Sequence, residues 1–262
     1  MNLKTTIVLA AGCAFAGSAI GQDAAGTTAT AAAAEEKKPK WESSAGVGLT
    51  ITRGNSETLL ATANVVTAKK WEKNEISLGA NGAYGEDDGE KNTESASAFG
   101  QYNRLFTERL YGYGRVDGLY DGMAYIDYRV AVSAGLGYYF IKNDKMTLSA
   151  EVGPGWVAEK VGGVDPLGNE VDSQTEEYFT IRFAERFEYK ITKNARIWQL
   201  AEYLPQIDDW GNYVVNAELG IESSISKSVN LRAFIQDTYR SEPATGAEEN
   251  DLKLVAGIQY KF

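Results

Sequence analysis

Glu218 and Glu222 stand four residues apart in the run Asn216-Ala217-Glu218-Leu219-Gly220-Ile221-Glu222. In an extended chain that spacing is two alternations, so both carboxylates project from one face. A pair of carboxylates is the minimum for hydrolysis of a glycosidic bond by acid/base or nucleophilic work. Arginines accompany them in chain order, at Arg182, Arg186 and Arg232, and this favours interior charge pairing over catalysis. A second acidic group, Glu86-Asp87-Asp88-Gly89-Glu90, offers the oxygen donors that calcium prefers, but it lacks the spacing of a calcium loop and reads as a solvated loop.

What is missing narrows the chemistry further. The 262 residues contain no histidine, so Ser-His-Asp and Cys-His arrangements are ruled out, as are histidine-based zinc sites. The single cysteine, Cys13, falls in the first twenty residues. Gly135-Leu136-Gly137 and Gly153-Pro154-Gly155 match no phosphate loop or dinucleotide fingerprint and read as close packing or bends on strands. A net charge of -10 disfavours nucleic acid as a partner. No enzyme activity and no cofactor is expected.

These residues sit on a period-two pattern. In the last eleven, Leu252, Leu254, Ala256, Ile258, Tyr260 and Phe262 alternate with Lys253, Val255, Gly257, Gln259 and Lys261, which makes a strand apolar on one face and polar or small on the other. From Trp41 onward about twelve such segments alternate with turn clusters, as in an all-β, up-and-down antiparallel transmembrane barrel. The connections fall into two alternating classes: short ones such as Lys142-Asn143-Asp144-Lys145, and longer acidic ones at Gly85 to Asn92, Asp121 to Tyr125, Lys160 to Ser173, Asp208 to Asn212 and Ser241 to Asn250. The first turn is Gly54-Asn55-Ser56.

Charge segregation decides inside from outside, because a basic side chain facing lipid at mid-depth costs about 2–4 kcal/mol. Apolar sets such as Val130, Val132, Ala134, Leu136, Tyr138 and Phe140, or Phe179, Ile181 and Phe183, belong to lipid. Arg129, Glu151, Arg182, Arg186, Glu188, Glu218, Glu222 and Arg232 are then the candidate lumen-lining residues. Aromatics toward the short-turn side, among them Trp41, Trp71, Phe106, Tyr111, Tyr139, Phe140 and Tyr189, fit an interfacial girdle. Two places resist the scheme: Glu185 falls on the lipid face, and Arg115 with Asp117 share parity with Tyr111 and Tyr113. A β-bulge would reset either register.

Residues 1–21 have the positive start, short apolar core and small-residue cleavage site of a secretory signal, cleaved near Gly21. Ala10-Ala11-Gly12-Cys13 is similar to a lipoprotein processing site, but with Ala at its first position. Residues 22–40 are Ala/Thr-rich and then Glu/Lys-rich, the composition of a disordered periplasmic tether. Residues 41–262 form the barrel.

The Gly48-Leu49-Thr50-Ile51-Thr52-Arg53-Gly54-Asn55-Ser56-Glu57-Thr58 hairpin, the following Trp71 and the closing Tyr260-Lys261-Phe262 resemble the salt-induced outer-membrane protein family, a domain of unknown function. The resemblance implies a monomeric protein integral to the outer membrane of a Gram-negative cell and brings no catalytic residues. Outer-membrane lipid and lipopolysaccharide are the implied partners, with Tyr260 and Phe262 an assembly signal to the barrel-assembly machinery. Function is then expected to be structural or stress-related, with a narrow channel for ions or small solutes as one form of it. The alternatives are a cell-surface binding protein using the loop Lys160 to Ser173 above Trp156, and a carboxylate hydrolase.

Overall fold

A strand in hydrocarbon must find partners for its N–H and C=O groups on both edges, since no water is there to take them. The computed structural model, which describes residues 40–52, 58–165, 167 and 169–262, meets this demand by closure. Twelve strands, β1 Trp41–Thr52, β2 Thr58–Trp71, β3 Asn74–Asp87, β4 Glu90–Leu105, β5 Leu110–Asp121, β6 Ile126–Lys142, β7 Met146–Val164, β8 Glu170–Lys190, β9 Ala195–Pro205, β10 Tyr213–Ser224, β11 Val229–Arg240 and β12 Asn250–Lys261, pair each with the next. β12 then pairs antiparallel with β1, from Ser44↔Lys261 to Gly48↔Gly257, and closes the barrel. The expected leader, the tether up to residue 39 and the Gly54-Asn55-Ser56 turn lie outside the described residues.

The alternation read in the sequence is carried through. Val47, Leu78, Val132, Leu136, Phe140, Val152, Phe179, Leu219, Leu254 and Ile258 are large, apolar and exposed. Arg115, Glu159, Arg182, Glu202, Glu218, Glu222 and Lys253 are buried. This is an inside-out arrangement by the standard of a water-soluble domain, and its stable surroundings are a lipid outside and a polar lumen inside. On the outer wall near the longer connections, Phe183, Tyr203, Tyr213 and Tyr239 follow one another across β8 to β11 with ring centroids 6.1, 5.4 and 5.9 Å apart. Trp41, Phe106, Tyr260 and Phe262 are exposed at the opposite end.

Several sequence expectations are corrected here. Tyr111 and Tyr139 do not join the girdle: they are buried inside the barrel with ring centroids 4.9 Å apart. No bulge resets β5, because Tyr111, Tyr113, Arg115 and Asp117 keep a continuous register against β4 and all face inward. The stretch Gly85 to Asn92 is not a long loop; β3 runs to Asp87, β4 starts at Glu90, and Asp88 and Gly89 turn the chain at φ 49° and 81°. Two successive positive-φ residues are the geometry of a tight hairpin turn, for which Asp-Gly is a preferred pair. Lys160 to Ser173 is mostly strand as well, with β7 continuing to Val164 and β8 beginning at Glu170. Trp156 lies level with Val132 and Phe179 on the outer wall, far below that hairpin's tip.

The narrow interior also explains where glycines sit. Phe99, Tyr111 and Trp198 point inward, and each is registered directly opposite a glycine on the neighbouring strand: Gly79, Gly137 and Gly220. A Cβ on those glycines would lie 2.4, 2.2 and 2.1 Å from the facing ring, so the rings lie flat on bare backbone. Gly220→Ala should therefore cost about 1–3 kcal/mol through overpacking and shift the Trp198 fluorescence. Gly114→Ala, where a Cβ meets nothing within 4 Å, should stay within about 0.5 kcal/mol of wild type. Urea unfolding in detergent micelles measures both.

Candidate functional site

The inward charges form one continuous belt across the middle of the lumen. Arg182 on β8 donates from Nε to Glu202 on β9 at 2.5 Å and from Nη1 to Glu151 on β7 at 2.7 Å. Glu151 also accepts from Gln101 on β4 at 2.8 Å and from the Tyr111 hydroxyl at 2.9 Å. The Gln101 contact reaches over two intervening strands, so the belt crosses the lumen instead of following its wall. Arg115 donates to Gln101 at 3.0 Å and grips Asp117 with two N–H groups at 2.8 and 2.5 Å. On the other side Glu202 accepts from Asn216 at 3.2 Å, and Asn216 from Thr238 at 3.1 Å.

Toward the short-turn end a second cluster gathers on Glu222. Arg196 and Asn230 donate to it at 3.0 and 2.5 Å, while Arg232 and Lys261 lie 3.7 and 3.5 Å away. Glu218 accepts from the Trp198 indole N–H at 2.5 Å and from Gln236 at 2.8 Å. Both carboxylates of the pair read in the sequence are thus committed to neighbours on three other strands. Arg186 pairs with Glu188, and Glu75 accepts from Tyr139 at 2.9 Å. At the other end Arg129 and Tyr178 both donate to Glu159, at 2.7 Å each.

All eight lumen candidates, Arg129, Glu151, Arg182, Arg186, Glu188, Glu218, Glu222 and Arg232, take part in these contacts. The sequence reading missed Glu75, Gln101, Arg115, Asp117, Glu159, Arg196, Trp198 and Glu202. Arg115 and Asp117 carried a signal in their inward parity, hidden by assuming that the tyrosines beside them faced lipid. Wall-to-wall partners such as Gln101 and Glu151 had none, since they lie fifty residues apart.

The belt divides the interior. A cavity of about 500 Å³ opens at the short-turn end between Lys70, Glu75, Tyr139, Lys142, Arg186 and Glu188. Another of about 630 Å³ opens among the longer connections, bounded by Arg129, Glu159, Asp172, Glu176, Arg240 and Glu249. A smaller cavity of about 80 Å³, bordered by Phe99, Arg115, Asp117, Arg182 and Glu202 together with apolar residues such as Leu119, Ala131, Val157 and Leu204, shares lining residues with both. On the β12, β1, β2 and β3 side the middle of the wall carries mostly small or neutral residues, Gly46, Gly48, Thr62, Asn64, Asn81 and Gly257, with Lys253 the charge among them. Among the described residues no group of three or more Asp, Glu, Cys or His side chains is placed to hold a metal.

The belt makes Arg182 the residue whose loss should cost most. Removing it leaves Glu151 and Glu202 buried with a cation gone from between them, a change worth about 3–5 kcal/mol for a buried pair. Arg182→Ala should lower the urea midpoint strongly, whereas Glu202→Gln, which keeps a hydrogen-bond acceptor and leaves the Glu151 pair, should lower it by less than half as much.

The solved structures similar to this chain are barrels of low identity. The translocator domain of the autotransporter NalP from Neisseria meningitidis is 15% identical, with 86% of this chain and 88% of that one covered and a TM-score of 0.47. The NanC porin is 9% identical over 84% of this chain and 98% of that one, at 0.49. An outer-membrane channel from Pseudomonas putida F1 is 7% identical over 86% and 95%, at 0.46. No residue's role is carried over from any of them. No curated protein matches the sequence. The family model described as "Protein of unknown function, DUF481" matches residues 45–262, from within β1 to the last residue, and the chain belongs to that family.

Proposed function

We propose that this protein is an outer-membrane barrel of the Gram-negative envelope whose lumen is a narrow, charge-lined path for ions and small polar solutes. The observation that carries the reading is a polar lumen with a cavity of about 500 Å³ at one end and one of about 630 Å³ at the other, and a smaller one of about 80 Å³ that shares lining residues with each. Twelve strands lie between the filled interior of eight-strand barrels and the open channel of 16–18 strands. A polar interior of balanced sign, built from arginines and carboxylates, suits hydrated solutes and gives apolar ones nothing to bind. The exposed apolar wall and the aromatics at both ends support the membrane placement.

Export by the N-terminal leader and recognition of Tyr260 and Phe262 by the assembly machinery belong to this proposal. Both rings are exposed on the outer wall and stacked at 6.1 Å, a position in which a partner reaches them before the barrel closes.

A second reading rests on the Gln101–Glu151 contact. A bond that crosses the lumen braces the wall, and a braced, closed barrel would serve the envelope structurally. Single-channel recording in planar bilayers separates the two. Arg115→Ala with Asp117→Ala removes an ion pair from the smaller cavity as a unit and leaves no lone charge from that pair. The channel reading expects small, reproducible openings for wild type and a several-fold larger conductance for the double variant. If both proteins are silent while still migrating as heat-modifiable barrels, the channel reading fails and the structural one stands.

A further inference from the structure

Lys69 points away from the lumen at the short-turn end of β2, level with Trp41 on β1 and Ile76 on β3. Its ammonium lies 5.7 Å from the centre of the Trp41 ring and 5.8 Å from that of Trp71. Among the described residues no carboxylate, the C-terminus included, forms an ion pair with it. Two indoles orient a cation but do not neutralise it.

The surroundings add hydrogen-bond donors. One step further into the membrane on the same wall, the hydroxyls of Ser43 and Thr67 lie 2.8 Å apart. One donates to the other, which uses a single hydrogen and leaves the second O–H able to donate outward. Across β3, Arg104 on β4 also faces out at this end, with its guanidinium and the Tyr102 hydroxyl both donating to Asn74 Oδ1 at 2.7 Å. Beyond these groups Ala80, Gly82 and Ala98 on β3 and β4 are small, and the exposed Val47, Val65 and Leu78 stand beside them. Those small residues make a shallow apolar furrow, bordered by the three larger side chains, above a cationic, hydroxyl-bearing, indole-flanked foot.

We propose that this foot is a binding site for the headgroup of an anionic phospholipid, with its acyl chains along the furrow. The proposal rests on the membrane placement argued above. Lys69 faces the phosphodiester, the free Ser43 or Thr67 hydroxyl donates to a phosphate oxygen, Trp41 and Trp71 cover the glycerol region, and Arg104 adds positive charge one strand beyond. A zwitterionic headgroup is disfavoured because its own ammonium competes with Lys69 for the phosphate and is repelled by Lys69 and Arg104. Phosphatidylglycerol has no such cation. The end with the longer connections is more acidic, with Glu86, Asp87, Asp88 and Glu90 gathered at the β3–β4 turn.

The test is native mass spectrometry of the folded protein in a neutral detergent with phosphatidylglycerol and phosphatidylcholine of identical chains. Wild type should retain one phosphatidylglycerol about tenfold more strongly than phosphatidylcholine. Lys69→Gln, at a surface position, should lose most of that preference while migrating as a folded barrel. Ser43→Ala with Thr67→Val should weaken retention without changing charge. Lys227→Gln, in the turn between β10 and β11, should leave it intact. Equal retention of the two lipids, an unaffected Lys69→Gln variant, or an equal loss in Lys227→Gln would each overturn the proposal, the last by showing bulk attraction to the cationic end. Displacement of the lipid by inorganic phosphate as readily as by phosphatidylglycerol would also overturn it, by assigning the foot to free phosphate.

Discussion

Closure of the backbone ladder is the constraint on which everything else in this molecule depends. A strand edge left open in hydrocarbon costs several kcal/mol for each unsatisfied group, so the chain pairs every strand with the next and returns β12 to β1. Closure at twelve strands sets how far side chains on facing walls stand from one another. In a wider barrel Gln101 and Glu151 would keep only partners on adjacent strands, such as Arg115 and Arg182. Here they also meet each other, and the lumen becomes a place where polar groups from strands that do not pair are arranged as one set.

That arrangement follows the economics of burial. A lone arginine in a low-dielectric lumen loses hydration that no single carboxylate fully returns, and Arg182 answers with two, Glu151 and Glu202, each itself held by amide or hydroxyl donors. Where the belt needs rigid spacers it uses rings, and where the rings need room it uses glycines. Tyr111 lies on Gly137 and donates to Glu151, while Trp198 lies on Gly220 and donates to Glu218. Of the glycines read as close packing or bends on strands, Gly137 is the floor under Tyr111, while Gly135 and Gly153 lie where the backbones of β6 and β7 approach closely, a Cβ on either meeting a carbonyl oxygen of the other strand at 2.1 Å.

Most of the wall was legible in the sequence, and the reason is physical. A period of two is a local property, so the apolar faces of β6, β10 and β12 and the inward set from Arg129 to Arg232 could be read without knowing which strands pair. The misreadings share one cause, that residue type was allowed to overrule parity. The preference of tyrosine for interfaces assigns Tyr111 and Tyr139 to the girdle, yet their parity with Arg115 and with Arg129 and Ser133 points inward. Asp88-Gly89 was absorbed into an acidic loop although Asp-Gly is among the strongest short-range hairpin signals. The cross-lumen contacts were not legible at all, because they depend on shear and closure, which no local pattern encodes.

Glu185 shows the opposite case, in which parity held against an expectation drawn from energy. No register shift interrupts β8 against β9, and against β7 the ladder shifts only near Val161 and Gly163, far from this residue. Its carboxylate therefore faces outward, between Ala150 and Ala201 on the adjoining strands, and accepts a hydrogen bond from Gln199 at 3.2 Å. A carboxylate on the lipid face costs less than a basic side chain at the same depth, and a neighbouring amide donor with low alanines on either side reduces that cost further by supplying a partner without crowding it. The wall tolerates such a group because the term that holds the barrel together, the closed ladder of backbone hydrogen bonds, is indifferent to which side chain stands on it.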